Sequence, residues 1–322
     1  MKKIFQKLFL GTLNIIIVAF FAISCIVENH KFSYTEAQKY YKIEDFSKNP
    51  FEDLQNPQSQ YAQNIRKFLD PKYQWQDEEK IKFKNEILPD KTYFEIISAQ
   101  VEKWTDGDTV TLKALNSDKL PPIFNARLES IDTPEVGKKD GQGNYQKTKG
   151  LEGEYAQKAK NFAEKILPNK SIISFLFPKT GAARSYDRYV GSIYFGHDGF
   201  FKNYAVEIVK AGLAIPILQS GLAAINNESS IYSYVSIKQA AALENSINKK
   251  FGFYENLKDT KFVTITNMIK SVYKTRGVGA IDNFLVLGDI NKDKNVFDWY
   301  EFGLEQKRKQ KHEIRNEKNV RK

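Results

Sequence analysis

Five short runs rich in β-branched and aromatic residues, broken once by a helix-length amphipathic stretch, constrain the fold of this chain more than any other feature. The runs cover 94–101, 109–115, 123–131, 171–177 and 189–195, and each reads as a β-strand. Asp106-Gly107 is a hairpin signal between the first two. Between the third and fourth, residues 151–167 place Ala156, Ala159, Phe162, Ala163, Ile166 and Leu167 on one helical face, and Pro168 ends the helix. Two more helices are expected after the last strand. One covers 203–211 and is closed by Gly212. The other starts near Asn227, runs through the alanine-rich 240–243, carries Lys249 and Lys250 at its negative end, and stops at Gly252. The pattern predicts an α+β fold, an OB-type five-stranded β-barrel with three packed helices.

The flanks read differently. Residues 1–24 form a leader, with Lys2, Lys3 and Lys7 ahead of a mostly apolar run that is short for a spanning helix. Ala22-Ile-Ser-Cys25 resembles a bacterial lipobox, whose cysteine is lipidated and becomes the mature N-terminus. An uncleaved N-terminal helical anchor is the alternative. Either reading places the remainder at the extracellular face of the cell membrane. Residues 25–92 are polar and read as a tether, with one short amphipathic helix marked by Tyr61, Ile65, Phe68 and Leu69. Residues 257–322 form a C-terminal extension ending in a basic tail over 307–322, expected to be disordered or loosely helical. Within it, Asp289-Ile-Asn-Lys-Asp293 begins like a calcium-binding loop. Lys294 occupies the glycine position, however, and Glu301 falls one residue late, so a polar turn is the stronger expectation.

Composition narrows the chemistry. Cys25 is the only cysteine, which excludes an intrachain disulfide and a cysteine-rich zinc site. His30, His197 and His312 are far apart, which argues against a histidine zinc site or a Ser-His-Asp mechanism. A net charge of +10 favours an acidic partner, although lysines that merely solvate the surface account for it equally well.

Two stretches concentrate carboxylates beside apolar runs: Asp106-Gly-Asp-Thr-Val110 and Arg127-Leu-Glu-Ser-Ile-Asp-Thr-Pro-Glu135. Taken singly they have structural explanations, as a tight turn, a helix cap or surface strand residues. Taken together they place Asp108 at the start of one strand and Asp132 at the end of another. If those strands are neighbours, both carboxylates reach one cation. Two carboxylates, a backbone carbonyl and waters suit Ca²⁺ better than Mg²⁺. Glu135, just beyond, can act on a water. Arg127 and Asp132 are separated by an odd number of residues, so a regular strand would send them to opposite faces; only a bend or bulge brings them together.

These two stretches, with Tyr186-Asp-Arg188, Gly191-Ser-Ile-Tyr194 and Ala211-Gly-Leu-Ala214 in the same order, resemble the staphylococcal (SNase-like) nuclease family over residues 93–256. The resemblance implies Ca²⁺-dependent hydrolysis of DNA and RNA that leaves a 3′-phosphate, with little sequence specificity. It implies Asp108, Asp132 and the Thr133 carbonyl as Ca²⁺ ligands. Glu135 would act on the attacking water, and Arg127 and Arg188 would clamp the phosphate. All five charged positions are present, which separates this chain from non-catalytic barrels that serve in nucleic-acid recognition. A surface adhesin is the remaining alternative, and no protein partner is inferred. Two departures bear on substrate recognition. Ser185 replaces a lysine, and 215–220 replaces the tyrosines that flank the nucleotide, for which Tyr232 and Tyr234 are possible substitutes. The Gly- and Lys-rich 137–150 reads as a flexible substrate loop.

Overall fold

The computed structural model describes residues 38–83, 87–218, 221–258, 265–275 and 296–320. The leader, Cys25 and the start of the Asp289–Glu301 stretch lie outside these residues. No helix among the described residues is long and apolar enough to cross a membrane.

A strand forms on each of the five predicted β-branched runs, and shorter strands form outside them. In chain order the strands are β1 (Phe94–Trp104), β2 (Thr109–Leu115), β3 (Ile123–Leu128), β4 (Ile131–Asp132), β5 (Gly137–Lys139), β6 (Tyr145–Lys147), β7 (Ile172–Pro178), β8 (Arg184–Ser185), β9 (Arg188–His197), β10 (Phe200–Asn203) and β11 (Ile215–Pro216). Pairing runs from β1 to β2, β3, β9 and β7, and β7 returns to β1, so the main sheet closes into a ring. All these pairs are antiparallel except β3 with β9, which is parallel. The register of β1 on β2 shifts between Val101 and Lys103, a bulge that bends β1 so that it can pair on both sides. Alternate residues point inward. Val101, Val110, Leu112, Ala126, Phe175 and Ile193 are buried inside the ring, and each large apolar side chain among them contributes about 1.5–3 kcal/mol.

Helix α4 (Gly150–Ile166), numbered after the short helices Pro50–Gln55, Gln60–Leu69 and Asp77–Lys82, covers the ring with its apolar face: Ala156, Ala159, Phe162, Ala163 and Ile166 are all buried. Helix α5 (Tyr204–Lys210) is capped by the Asn203 side chain, which accepts from the Val206 amide at 3.2 Å, and is followed by Gly212 at φ +65°. Helix α6 (Tyr232–Lys249) starts later than expected, because 222–226 forms a 3-10 turn and Asn227 makes a local Asx turn to Ser229.

The stretch expected as a tether is folded over much of its length. The three preceding helices, α1 (Pro50–Gln55), α2 (Gln60–Leu69) and α3 (Asp77–Lys82), bring Leu54, Tyr61, Ile65, Phe68, Trp75 and Phe83 into the buried interior. Only α2 has clear helical periodicity. Local polar caps set the other two: Asn49 accepts from the Glu52 amide at 2.9 Å, and Glu79 accepts from the Gln76 amide at 3.1 Å. A buried ion cluster fastens this segment. Glu44 meets Lys202 and Lys210 at 3.2 Å each, Lys210 meets Glu207 at 2.7 Å, and the Tyr61 hydroxyl donates to Glu207 at 2.8 Å.

In the extension, α7 (Ile265–Val272) packs on α4 and on the 3-10 turn 252–258. The basic tail, as far as Val320, is the second half of a long helix, α8 (Val296–Val320). Glu301 lies on α8 and pairs with Lys39. The loop expected to be flexible forms the β5–β6 hairpin, with Tyr145 packed over Gly137.

Candidate active site

The turn between β1 and β2 sets the first carboxylates. Gly107 occupies a close approach. A Cβ there would lie 2.8 Å from Thr133 Cγ2 and 2.9 Å from Ala159 Cβ, so any larger residue would push the turn off α4. The Tyr204 hydroxyl donates to the Gly107 carbonyl at 2.7 Å, and the Tyr204 ring stacks on Trp104. Asp106 Oδ1 accepts from the Asp108 amide at 3.1 Å, and Asp108 Oδ2 accepts from the Thr133 amide at 2.9 Å.

The odd spacing between Arg127 and Asp132 is resolved at Ser130. Its φ of +70° turns the chain between β3 and β4. Gln239 on α6 holds this turn by donating to Ser130 Oγ at 2.9 Å, and the Ile217 amide donates to the Ser130 carbonyl at 2.8 Å. Arg127 therefore reaches both carboxylates. Its Nη1 donates to Asp108 and its Nη2 donates to Asp132 at 2.5 Å. Asp108, Asp132 and Thr133 are buried. Arg188 at the start of β9 donates to Thr109 Oγ1 at 3.2 Å, and Thr109 Oγ1 in turn donates to Asp108 at 3.1 Å.

Glu135 is half-buried beside this group. Burial pushes its carboxyl up to about 7 and the Asp108 charge adds to the effect, while Arg127 and Arg188 oppose it. Asp106 is likewise raised well above the usual carboxylate range, first by burial and then by Asp108. The site thus gathers more carboxylate than its two guanidinium groups comfortably balance, and a cation bound here would relieve it.

Among the described residues no three His, Cys, Asp or Glu side chains converge on one metal position. The donor set is instead two buried carboxylates spanned by a guanidinium. Beside them the Thr133 hydroxyl is buried without a hydrogen-bond partner among the described residues. All-oxygen donors next to an orphaned polar atom fit a hard cation.

Several contributors were not legible in the sequence. The Tyr273 hydroxyl, from just beyond α7, donates to the Asp132 carbonyl at 2.9 Å. Buried Glu152 accepts from the Thr275 amide at 3.0 Å and from its hydroxyl. Tyr232 and Tyr234 do not take the place of the missing nucleotide-flanking tyrosines. Tyr232 is buried, and Tyr234 lies edge-on to Phe94 with its hydroxyl donating to the Glu228 carbonyl.

The sheet is thus a ring flanked by helices, with paired carboxylates and two arginines at one rim. The profile of the family described as Staphylococcal nuclease homologue matches residues 125–242. An uncharacterized lipoprotein of Mycoplasma genitalium is 30% identical over 186 residues, covering 56% of this chain and 68% of the relative. Its homolog in Mycoplasma pneumoniae is 32% identical over 161 residues, 47% of this chain and 48% of the relative. An uncharacterized protein of Methanocaldococcus jannaschii is 31% identical over 122 residues, 36% of this chain and 56% of the relative. The chain therefore spans about half the length of the last two. It belongs to the family of staphylococcal nuclease homologues.

Proposed function

We propose that the protein is a Ca²⁺-dependent nuclease that hydrolyses phosphodiester bonds of DNA and RNA with little sequence specificity. In this reading the closed ring of strands is an OB-type five-stranded barrel, and the catalytic module spans residues 93–256. The observation that carries it is the meeting of Asp108, Asp132, Arg127, Glu135 and Arg188 at one rim. A purely structural ion pair needs no second arginine beside a carboxyl with a raised pKa.

Asp108, Asp132 and the Thr133 carbonyl would hold Ca²⁺, which supplies electrophilic polarisation of the phosphate when bound. Glu135 takes the proton of the attacking water. The water oxygen bonds to phosphorus, the bond to the 5′ oxygen breaks, that oxygen takes a proton from solvent to leave as a hydroxyl, and the phosphate stays on the 3′ side. Arg127 exchanges its two carboxylate partners for phosphate oxygens. Arg188 holds the phosphate from β9, and the two guanidiniums stabilise the charge that builds up in the transition state. Both arginines read phosphate rather than base edges, which accounts for low specificity.

The lipobox-like Ala22-Ile-Ser-Cys25 and the lipoprotein relatives support lipid anchoring through Cys25 at the extracellular face. Membrane fractionation of Cys25→Ser tests this, since unchanged partitioning and mass would point to a helical anchor. The test of activity is digestion of DNA and RNA by the full chain with Ca²⁺, with Mg²⁺ and with excess chelator. Cleavage with Ca²⁺ that stops in chelator is expected. Undiminished cleavage in chelator sinks the metal assignment, and no cleavage under any condition leaves a nucleic-acid-binding module.

A further inference from the structure

The C-terminal half of α8 carries charge that the proposed catalytic site does not use. From Lys307 to Asn316 the sequence Lys-Arg-Lys-Gln-Lys-His-Glu-Ile-Arg-Asn holds five cations and one carboxylate. Residues 308–316 are all exposed. At 3.6 residues per turn, Arg308, Lys311 and Arg315 fall within about 60° of one another, and Glu313 falls on the opposite side. The row is about 10 Å long, enough for about three phosphates of one strand at 3.4 Å each.

The base of this helix is fixed to the segment that follows strand β11. Strand β11 pairs with β4 through Ile215 and Asp132. The chain leaving β11 forms the turn 222–226, and that turn grips α8. Asn226 donates to the Trp299 carbonyl at 2.8 Å, and Glu228 pairs with Lys307 at 2.9 Å. Gly303 permits the close approach, because a Cβ there would collide with the Asn226 side chain. A helix that merely coated the surface would lay its length on the body. This one is clamped at one end, and its basic row continues beyond the clamp.

We infer that the basic face of α8 is a binding surface for the sugar–phosphate backbone of a polynucleotide, holding the polymer that the proposed site cuts. The inference rests on the nuclease reading for its purpose, but the binding surface stands on α8 alone. An anionic membrane is the competing partner for a basic helix. Membrane-surface helices bury an apolar stripe, and the exposed stretch 308–316 offers only Ile314. A row of cations without an apolar face matches the phosphate backbone.

The test uses the full chain in neutral detergent, carrying Glu135→Gln so that substrate survives. Binding of a labelled single-stranded and a duplex DNA is measured over a range of salt concentrations. The triple substitution Arg308→Gln, Lys311→Gln, Arg315→Gln is compared with the charge-preserving Arg308→Lys, Lys311→Arg, Arg315→Lys. The glutamine set should reduce the slope of log affinity against log salt by about 2 to 3, since each phosphate contact contributes about 0.7 to 0.9. The charge-preserving set should leave the slope in place. With Glu135 restored, the glutamine set should raise KM for long DNA and leave turnover of a dinucleotide unchanged, because the one phosphodiester of a dinucleotide is the bond being cut and leaves no other phosphate for α8. Equal slopes in the two sets overturn the proposal. So does loss of binding to vesicles containing phosphatidylserine with DNA binding intact, which assigns the face to the membrane. Failure of wild-type cleavage with a normal salt response would refute the nuclease reading and leave the binding surface standing.

Discussion

Glu135 illustrates how a single position is set by its neighbours. Its carboxyl is raised to about 7 by burial and by Asp108, so near neutrality it is close to half protonated. A base must be ionised to accept a proton, so turnover should fall as pH drops through about 7, and the fall should start at lower pH as Ca²⁺ approaches saturation, because a nearby cation favours the carboxylate. Glu135→Gln should keep the fold, lose activity by on the order of 10²-fold and flatten that limb of the pH profile. Near-normal turnover with the limb intact would remove Glu135 from the chemistry. The carboxylates and arginines were legible because motif order and residue type carry chemistry directly. Their convergence was not. Strand periodicity sends Arg127 and Asp132 to opposite faces, and the reversal depends on Ser130 in a left-handed conformation. Serine is not a residue that announces such a turn, and its partner Gln239 is more than a hundred positions away.

Among elements, β1, β2, β3, β7 and β9 followed from β-branched enrichment, and α4 from its apolar face. The short α1 and α3 did not, because each is six residues long and built on local caps instead of a periodic stripe. Helix α7 was hidden for another reason: the importance of its neighbourhood comes from one long-range contact. Tyr273 donates to the Asp132 carbonyl from outside residues 125–242, which match the family profile. Tyr273→Phe removes that bond and leaves the ring. If the tyrosine orients the Asp132–Thr133 peptide, Ca²⁺ affinity measured by calorimetry should fall by about tenfold, the low end for a group that supports a metal ligand. Unchanged affinity with lowered thermal stability would restrict Tyr273 to packing.

For the whole molecule, the cluster of Glu44, Lys202, Lys210 and Glu207 couples the N-terminal segment to the sheet. Burial alone would raise the Glu44 carboxyl, but the attraction of Lys202 and Lys210 outweighs it and brings the group to about 2. A carboxyl depressed on folding from an ordinary 4.5 stabilises the fold above that value and loses the contribution as pH falls from about 4.5 toward 2. Glu44→Gln should therefore lower stability at pH 7 by about 3–5 kcal/mol in urea denaturation, the usual cost of breaking a buried pair. It should also weaken the acid sensitivity over that window. Equal denaturation midpoints at pH 7 would mean that the cluster is dispensable. The same cluster bears on how the protein can be cut into pieces. A fragment begun at Tyr93, where the family resemblance starts, would discard Glu44 and Tyr61 and leave two lysines in the interior facing a single glutamate. Phe68, Trp75 and Phe83 would go with them, uncovering greasy surface on β9 and β10. Recombinant fragments that respect the homology boundary should aggregate, and those begun upstream of Tyr41 should stay in solution.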